Sequence, residues 1–306
     1  MNNKYYIKHS RNFRHSHNFS FIIAKILNRM PWQRTLARKY NSARHQLIMR
    51  ELNPLFTYTL SEVERSSKKK NKNSNKIWFF WWQGQDKLTD LSRKCYESIL
   101  KNRGKRDVIF ISKVNIKKYA TLPNYVYEKV DKGQITLTHL SDLLRFNLLS
   151  NYGGLWMDAT LYVTGNLDNI DTEQLFTCSG YEDKTNFNVS QGRWTGFLIG
   201  GPSHLDIFEF MNVFFKEYWK YNDKLVDYFL IDYALNYALS QNMSNFSKIT
   251  KRYSKFEPNL FSLQKCLNKK FEVKKWKVIS HNTNIFKLTN KKQISHDADN
   301  FYSNLL

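Results

Sequence analysis

The chain has 306 residues, of which 42% are hydrophobic and 16% aromatic, and this excludes disorder of the whole chain because a sizeable apolar core can form. It carries 48 Lys and Arg against 26 Asp and Glu, and the net charge of +22 favours anionic partners, either nucleic acid or an acidic membrane surface. Three widely spaced cysteines without a zinc-type Cys/His spacing indicate a reducing compartment and exclude a structural zinc site.

A strongly basic segment opens the chain. Residues 1–50 contain eleven Lys and Arg and no Asp or Glu. Residues 1–65 are predicted to form a basic helical N-terminal extension with breaks at Pro31 and Pro54. The apolar run from Phe19 to Leu27 is too short to cross a bilayer, which takes about 20 apolar residues, and no signal-peptide cleavage pattern follows it.

Two interpretations of this apolar run stay open. One is a helix that lies on an anionic membrane surface and places its apolar side chains in the lipid. The other is an ordinary helix packed on the main domain. The side chains concerned are Phe21, Ile22, Ile26, Leu27 and Trp32.

A polar segment separates this extension from the rest of the chain. Residues 66–76 contain no apolar side chain and are predicted to be a solvated linker. Residues 77–306 are predicted to form the main domain. That domain begins with the continuous apolar run Ile77–Trp82, which is typical of a strand buried on both faces.

The next elements predict a parallel strand–helix–strand unit. Leu91, Cys95 and Ile99 recur every fourth residue, which indicates a helix that ends near Gly104. The segment Asp107–Ser112 is then predicted to be the second strand. A strand, a helix and a second strand within such a short distance normally form a right-handed βαβ unit.

A helix followed by a pair of glycines is the most informative part of the chain. The spacing of leucines predicts a helix from about His139 to Asn151, with Gly153 as its left-handed C-terminal cap. A short apolar strand follows and carries Asp158 at its carboxyl end. Because ligands of open α/β sheets bind outside the carboxyl ends of the strands, Asp158 is a candidate binding residue. The alternative is a carboxylate that only caps the next turn.

Three further elements are predicted in the second half of the chain. The segment Arg193–Gly201 is predicted to be a strand, and Ser203 with Asp206 is predicted to cap the helix that follows. Another helix is predicted over about Leu225–Leu239, with Asp232 among its aromatic side chains.

Asp142 and Arg145 are three residues apart on the predicted helix and therefore lie on one face of it. One interpretation is an exposed ion pair, which contributes roughly a few tenths of a kcal/mol. The surrounding leucines and the strand that leads to Asp158 favour another interpretation, in which a carboxylate and a guanidinium group bind sugar hydroxyl groups.

Four segments resemble the capsular polysaccharide synthesis proteins, which are similar to family 32 glycosyltransferases with a DXD motif in their sugar-binding region. The segments read IWFFWWQG at 77–84, HLSDLLR at 139–145, YGGLWMDAT at 152–160 and DYFLIDY at 227–233. The resemblance implies an α/β domain with the Rossmann-like GT-A fold, a nucleotide-sugar donor and a divalent metal, Mn²⁺ or Mg²⁺. It also implies retention of configuration. The hypothesis that follows is transfer of a hexose to a lipid-linked or polysaccharide acceptor.

The resemblance further implies roles for single residues. Trp82 and Gln83 would border the nucleotide, with the aromatic ring available to stack on the base. Asp142 and Arg145 would hold the donor sugar. Asp158 matches the first acid of the DXD motif, which contacts ribose, sugar or metal.

Two of these implied positions depart from the family pattern. Thr160 stands where the motif has its second acid, so the metal would be held by the Asp158 carboxylate and a weakly binding hydroxyl group. Phe286 stands where many relatives have His, and Lys287 and Lys291 are the candidates that offset the diphosphate charge instead, with His281 as a distant alternative. Asp232 is the candidate catalytic carboxylate near the reacting sugar, with an acid that faces solvent or an arginine as the alternative.

Other functions stay open on the sequence alone. The departures at Thr160 and Phe286 also fit a degenerate protein that binds a nucleotide sugar without turnover. A nucleic-acid partner is not predicted, because neither an aromatic-basic motif nor a helix-turn-helix pattern is found. The transferase interpretation places the protein in the cytoplasm, peripheral on the inner face of the plasma membrane, where its basic N-terminal segment meets anionic lipid.

Overall fold

The computed structural model describes residues 17–66, 69–295 and 297–306, so residues 1–16 of the predicted extension lie outside the described part. The helices are α1 (Asn18–Asn28), α2 (Arg34–Arg65), α3 (Asp90–Asn102), α4 (Ile116–Tyr119), α5 (Asn124–Asp131), α6 (Leu137–Tyr152), α7 (Asp206–Tyr221), α8 (Leu230–Ser240), α9 (Phe246–Arg252), α10 (Val273–Ser280) and α11 (Phe301–Leu305). The strands are β1 (Lys76–Phe80), β2 (Asp107–Ile111), β3 (Gly154–Met157), β4 (Leu161–Val163), β5 (Phe176–Thr177), β6 (Leu198–Gly201) and β7 (Ile285–Lys287).

The central sheet has the strand order β2-β1-β3-β6-β5. Strand β1 is parallel to both β2 and β3, whereas β6 runs antiparallel to β3, and β5 runs antiparallel to β6. Helix α3 joins β1 to β2, so the predicted βαβ unit is confirmed. The Rossmann-like α/β fold is confirmed as well. A small second sheet consists of the antiparallel pair β4 and β7.

The glycine pair makes the reversal from α6 into β3 possible. Gly153 has φ 66° and ψ −160°, so its φ is positive but its conformation is not the left-handed helical cap that the sequence predicts. A Cβ atom on Gly153 would lie 2.5 Å from the backbone nitrogen of Ser203, so the position excludes any side chain. The Gly153 carbonyl oxygen accepts a hydrogen bond of 2.8 Å from the indole of Trp78 on β1. The turn is therefore fixed to the centre of the sheet.

The N-terminal helices pack on the main domain. Helix α2 contributes Ile48, Leu52, Leu55 and Phe56 to the same core cluster that holds the central sheet. Residues 69–75 have no regular secondary structure, as expected for the predicted linker. The division into two domains stays a prediction, but the helices before the polar segment and the sheet after it share one core. Among the described residues, no helix combines the length and the apolar character that a bilayer span requires.

The predicted strand Arg193–Gly201 is wrong in its first half. Only β6 is extended, because the backbone nitrogen of Leu198 donates to the Thr195 carbonyl oxygen at 3.2 Å and closes a turn. The predicted cap at Ser203 is also wrong, since α7 begins later and the backbone nitrogen of Ser203 donates to the Lys72 carbonyl oxygen.

The helix predicted from Leu225 begins only at Leu230, in α8. The Asp227 carboxylate accepts the backbone N–H of Phe229 at 2.9 Å. An aspartate that binds a backbone N–H two residues ahead forms an Asx turn, which competes with helical hydrogen bonding. Asp227 therefore shapes the loop before the helix.

Candidate active site

One cavity of about 860 Å³ lies outside the carboxyl ends of β1 and β3. This is the edge of an open α/β sheet at which ligands bind. All the site residues predicted from the sequence line it, namely Trp82, Gln83, Asp142, Arg145, Asp158, Thr160, Asp232 and Lys287. The fold thus brings together side chains that are more than two hundred residues apart in the chain.

Asp142 and Arg145 form a buried pair on α6. The Arg145 Nη1 atom donates to the Asp142 Oδ1 atom at 2.9 Å, and the two side chains are 5% and 9% exposed. The interpretation as an exposed surface pair is therefore excluded. Thr136 caps the helix by accepting the backbone N–H of His139, which fixes the position of the pair along the helix.

Asp158 lies at the carboxyl end of β3 and is the centre of the polar network. Its Oδ1 atom accepts hydrogen bonds from Arg145 Nη2 at 3.1 Å and from the Trp156 indole at 2.8 Å. Its Oδ2 atom accepts one from Lys287 Nζ at 3.1 Å. Removal from water would by itself raise the pKa of the Asp158 carboxyl, but Lys287, Arg145 and the indole outweigh that effect and hold the pKa below its usual range. Asp158 is therefore a stable anion.

Lys287 reaches Asp158 because β7 pairs with β4. In that pair Lys287 is opposite Leu161, next to the predicted motif. Its Nζ atom also donates to Thr160 Oγ1 at 2.6 Å and lies 4.7 Å from the ring centroid of Phe197. Side chains alternate along a strand, and Phe286 is fully buried in a separate apolar cluster. The residue in place of the family's histidine is thus a core residue, and the neighbouring lysine faces the cavity.

Asp232 lies on α8 in the opposite wall of the cavity. Its Oδ1 atom accepts a hydrogen bond of 2.7 Å from the Trp194 indole. Burial, together with repulsion from the Asp142 carboxylate, raises the pKa of Asp232 to about 6 from 3.8. The alternative of a helix acid that faces solvent or pairs with an arginine is not what the structure shows. Asp232 is a half-buried carboxylate without a formal ion pair among the described residues.

Several residues of the site were not predicted from the sequence. The indole groups of Trp156 and Trp194 orient Asp158 and Asp232, and Tyr228, Phe197 and Phe261 form apolar walls. Phe197 lies in the turn before β6, where a strand was predicted, and Tyr228 lies in the turn before α8, where a helix was predicted. Trp156 lies two residues before Asp158 on the same strand, hence on the same side of it, and this spacing was a usable signal.

Cationic side chains cluster where the last segment of the chain crosses the cavity. Arg145, Lys265, Lys287, Lys291 and Lys292 face three carboxylates, those of Asp142, Asp158 and Asp232. The net charge of the lining is therefore positive, which suits an anionic ligand. Trp82, with the Lys113 ammonium 5.6 Å from its ring centroid, offers an aromatic face at one end.

A second cavity of about 930 Å³ lies at the opposite edge of the sheet. It is lined by polar loops, among them residues 72–76, 168 and 170–173. The Arg106 guanidinium there donates hydrogen bonds to the carbonyl oxygens of Leu167 and Ile170. Its acids are on loops, and it lies at the amino ends of the parallel strands. The cavity at the carboxyl ends is the better candidate because its charged groups converge on rigid elements.

The side chains around Asp158 do not fit a divalent metal. Mn²⁺ and Mg²⁺ take several oxygen ligands, usually carboxylates, phosphates and water. Both Asp158 Oδ2 and Thr160 Oγ1 already accept from the Lys287 ammonium. Within the described part of the chain, no group of three or more His, Cys, Asp or Glu side chains has the arrangement of a metal site.

Comparison with known proteins supports the resemblance drawn from the sequence. The family model of the capsular polysaccharide synthesis proteins matches residues 29–305, on both sides of the predicted linker. A search of curated proteins gives no significant match. The predicted family is confirmed: the chain belongs to the capsular polysaccharide synthesis protein family.

Proposed function

We propose that the protein is a glycosyltransferase that moves a hexose from a nucleotide sugar to a growing, lipid-linked capsular or extracellular polysaccharide. Membership of the capsular polysaccharide synthesis family supports a role in capsule biosynthesis. The observation that carries the activity is the network of Asp142, Arg145 and Asp158 in one cavity at the carboxyl ends of β1 and β3. A carboxylate–guanidinium pair held by buried elements is suited to fixing sugar hydroxyl groups.

The lining of the cavity supports one orientation of the proposed donor. The base stacks on Trp82, the diphosphate faces the lysines, and the sugar lies between Arg145 and Asp232. A base on an aromatic ring gains about 1–3 kcal/mol. The lysines supply a fixed positive field at the place where charge develops on the leaving diphosphate.

The chemistry follows from this placement. The bond between the anomeric carbon and the β-phosphate oxygen breaks, and its electron pair stays on the phosphate. The acceptor oxygen forms the new bond on the same face, and its proton passes to the departing phosphate. Asp232, ionised above about pH 6, stabilises the positive charge that develops at the anomeric carbon. Aromatic walls exclude water, which otherwise hydrolyses the donor.

We further propose that an anionic membrane brings the enzyme to its acceptor on the inner face of the plasma membrane. Phe21 of α1 faces inward and stacks on Tyr228 with ring centroids 5.4 Å apart. The opposite side of α1 exposes Phe19, Ile22 and Ile26, which are 76%, 52% and 48% exposed. These positions follow helical spacing and form one apolar stripe, beside the basic side chains Lys25 and Arg29.

The activity is tested by incubating the full chain with a panel of nucleotide hexoses and a polyprenyl-linked sugar acceptor. We expect transfer from one donor, and a loss of about 100-fold or more in kcat/KM for Asp158→Asn and for Asp142→Asn. The matched control is Asp107→Asn, an exposed aspartate at the amino end of β2, which should leave transfer unchanged.

Two results would count against the proposed function. Binding of a nucleotide sugar without transfer or hydrolysis indicates the degenerate binding protein instead. Full transfer by the Asp158→Asn and Asp142→Asn variants means that the active site lies elsewhere.

A further inference from the structure

The first and third positions of the DXD-like segment are joined by an ammonium group. Lys287 Nζ is 3.1 Å from Asp158 Oδ2 and 2.6 Å from Thr160 Oγ1. A divalent ion held by this segment would need the same two oxygen atoms. The remaining oxygen of Asp158 accepts from Arg145 and from Trp156. Each side-chain oxygen of Asp158 and Thr160 is therefore in contact with a donor.

The Lys287 ammonium is held by the fold. The backbone nitrogen of Lys287 donates to the Leu260 carbonyl oxygen at 2.8 Å. The backbone nitrogen of Leu288 donates to the Thr160 carbonyl oxygen at 2.8 Å. At the start of β7, the buried Glu257 carboxylate accepts the backbone N–H groups of Asn284 and Ile285. The strand that carries Lys287 is thus fixed on both sides, and only a fifth of the lysine side chain is exposed.

Three more lysines surround the same part of the cavity. Lys265, Lys291 and Lys292 line its rim, and no ion pair links any of them to a carboxylate in the described part of the chain. Lys291 Nζ lies 5.9 Å from the ring centroid of Tyr228, across the opening from β7. Their charges are therefore available to an anion that enters between β7 and α8.

We propose that these lysines bind the diphosphate of the donor in place of a divalent metal, with Lys287 at the position that the metal takes in a DXD site. This inference rests on the proposed function, because it assumes a nucleoside diphosphate as the leaving group. An ammonium has three donors, and two of those of Lys287 reach Asp158 and Thr160, so one is left for a phosphate oxygen. A fixed cation of this kind stabilises the negative charge on the departing diphosphate without a metal ion.

The test is binding of nucleoside diphosphates to the full chain, measured by calorimetry with UDP, GDP, CDP and ADP, in EDTA and in Mn²⁺. We expect at least one of them to bind, with affinities in EDTA and in Mn²⁺ that agree within about threefold. We expect Lys287→Ala to weaken binding in EDTA by about tenfold or more, and Lys287→Arg to retain most of it. The matched control is Lys277→Ala, an exposed lysine of α10 that does not line the cavity.

Nucleotide binding by the Lys287→Ala variant should also depend on Mn²⁺. Removing the ammonium frees the oxygens of Asp158 and Thr160, so binding to Lys287→Ala should become stronger when Mn²⁺ is added. The comparison of wild-type affinities in EDTA and in Mn²⁺ needs no variant. It therefore tests the metal-free site even where Lys287→Ala fails to fold.

Each result has a distinct meaning. A nucleoside diphosphate that binds wild type only with Mn²⁺ overturns the metal-free site and leaves the proposed transferase standing. Unchanged binding by the folded Lys287→Ala variant in EDTA also overturns it. If none of the four nucleotides binds in either condition, the nucleotide-sugar donor and the lysine site are both wrong.

Discussion

Asp232 is a carboxylate in surroundings that oppose its charge. It lies in a cavity wall near the Asp142 carboxylate, and its pKa is raised to about 6. The same group has a pKa near 3.8 in the unfolded chain, so the folded state binds the proton more tightly. Well below pH 4 both states are protonated, and the raised pKa then leaves the free energy of unfolding unchanged. As the pH rises from about 4 to 6, the unfolded state loses the proton before the folded state does, so the free energy of unfolding falls. This loss is complete above that range.

We therefore expect Asp232→Asn to increase the free energy of unfolding at pH 7.5 by about 1–2 kcal/mol, because the amide removes the unfavourable charge and its oxygen still accepts from Trp194. The gain should shrink at pH 4. The same variant should lose most of its transferase activity. Urea unfolding at the two pH values, beside transfer rates, measures both effects.

A variant of Asp232 that is neither more stable at pH 7.5 nor less active would show that this carboxylate is an ordinary helix residue. The control is Asp206→Asn, at the first turn of α7 and outside the candidate active site, which should leave the transfer rate unchanged.

At the scale of elements, α2 holds the loop that precedes α8. The Arg44 guanidinium forms an ion pair with the Asp227 carboxylate, and the side chains are 3% and 0% exposed. The ring of His45 lies 2.9 Å from the Tyr233 hydroxyl and 3.0 Å from the Asn186 carbonyl oxygen. Burial lowers the pKa of His45 to about 4, so the ring is neutral, donates through Nε2 to Asn186 and accepts from Tyr233.

We expect Arg44→Ala to lower the free energy of unfolding by about 3–5 kcal/mol, because it leaves the buried Asp227 carboxylate without its cationic partner. Replacing both residues, Arg44→Met with Asp227→Asn, should restore part of the loss. Urea unfolding of the two single variants and the double variant gives the coupling energy.

The exposed pair of Arg65 and Glu62 on the same helix is the matched control, since its side chains are 69% and 38% exposed. Arg65→Ala should change stability by less than about 1 kcal/mol. A loss of similar size in Arg44→Ala and in Arg65→Ala would mean that the buried pair has no special role in holding the loop.

The elements that could be predicted from the sequence are those whose pattern is local. The apolar run of β1, the leucine spacing of α6 and the glycine pair all appear within a few neighbouring residues. The burial of α2 was not predictable, because the face that it turns inward includes the polar residues Asn41, Arg44 and His45. Each of them has a partner more than one hundred and forty residues away. Their hydrogen bonds exist only in the folded chain.

The residues of the candidate site also fall into two groups, those that a local pattern predicts and those whose contacts depend on distant parts of the chain. The pair Asp142 and Arg145 follows from helical spacing, and Asp158 follows from its place at a strand end. The contact of Lys287 with Thr160 depends on the register between β4 and β7, which no local pattern specifies. The segment before β6 was misassigned because a turn between Thr195 and Leu198 interrupts it and the Trp194 side chain bonds to Asp232.

At the scale of the whole molecule, the exposed side of α1 and the mouth of the cavity are linked through Tyr228, which contacts Phe21 on one side and lines the cavity on the other. We expect the protein to bind vesicles of phosphatidylcholine with phosphatidylglycerol and to bind phosphatidylcholine alone much more weakly. Phe19→Ser with Trp32→Ser should reduce binding about tenfold or more, since each ring contributes about 1.5–3 kcal/mol when buried.

The control for this measurement is Val114→Ser, a side chain that is 95% exposed and far from α1 in the chain. It should leave vesicle binding unchanged. Equal binding to neutral and acidic vesicles, or full binding by the Phe19→Ser and Trp32→Ser variant, would exclude α1 and the turn after it as the membrane contact.

The pairing of β4 with β7 has a consequence for how the protein is made. Thr160 and Lys287 are 127 residues apart in the chain. During synthesis on the ribosome, Asp158 is translated long before Lys287, the lysine that neutralises it. Four of the five cationic side chains that line the cavity, Lys265, Lys287, Lys291 and Lys292, are therefore added only near the end of synthesis.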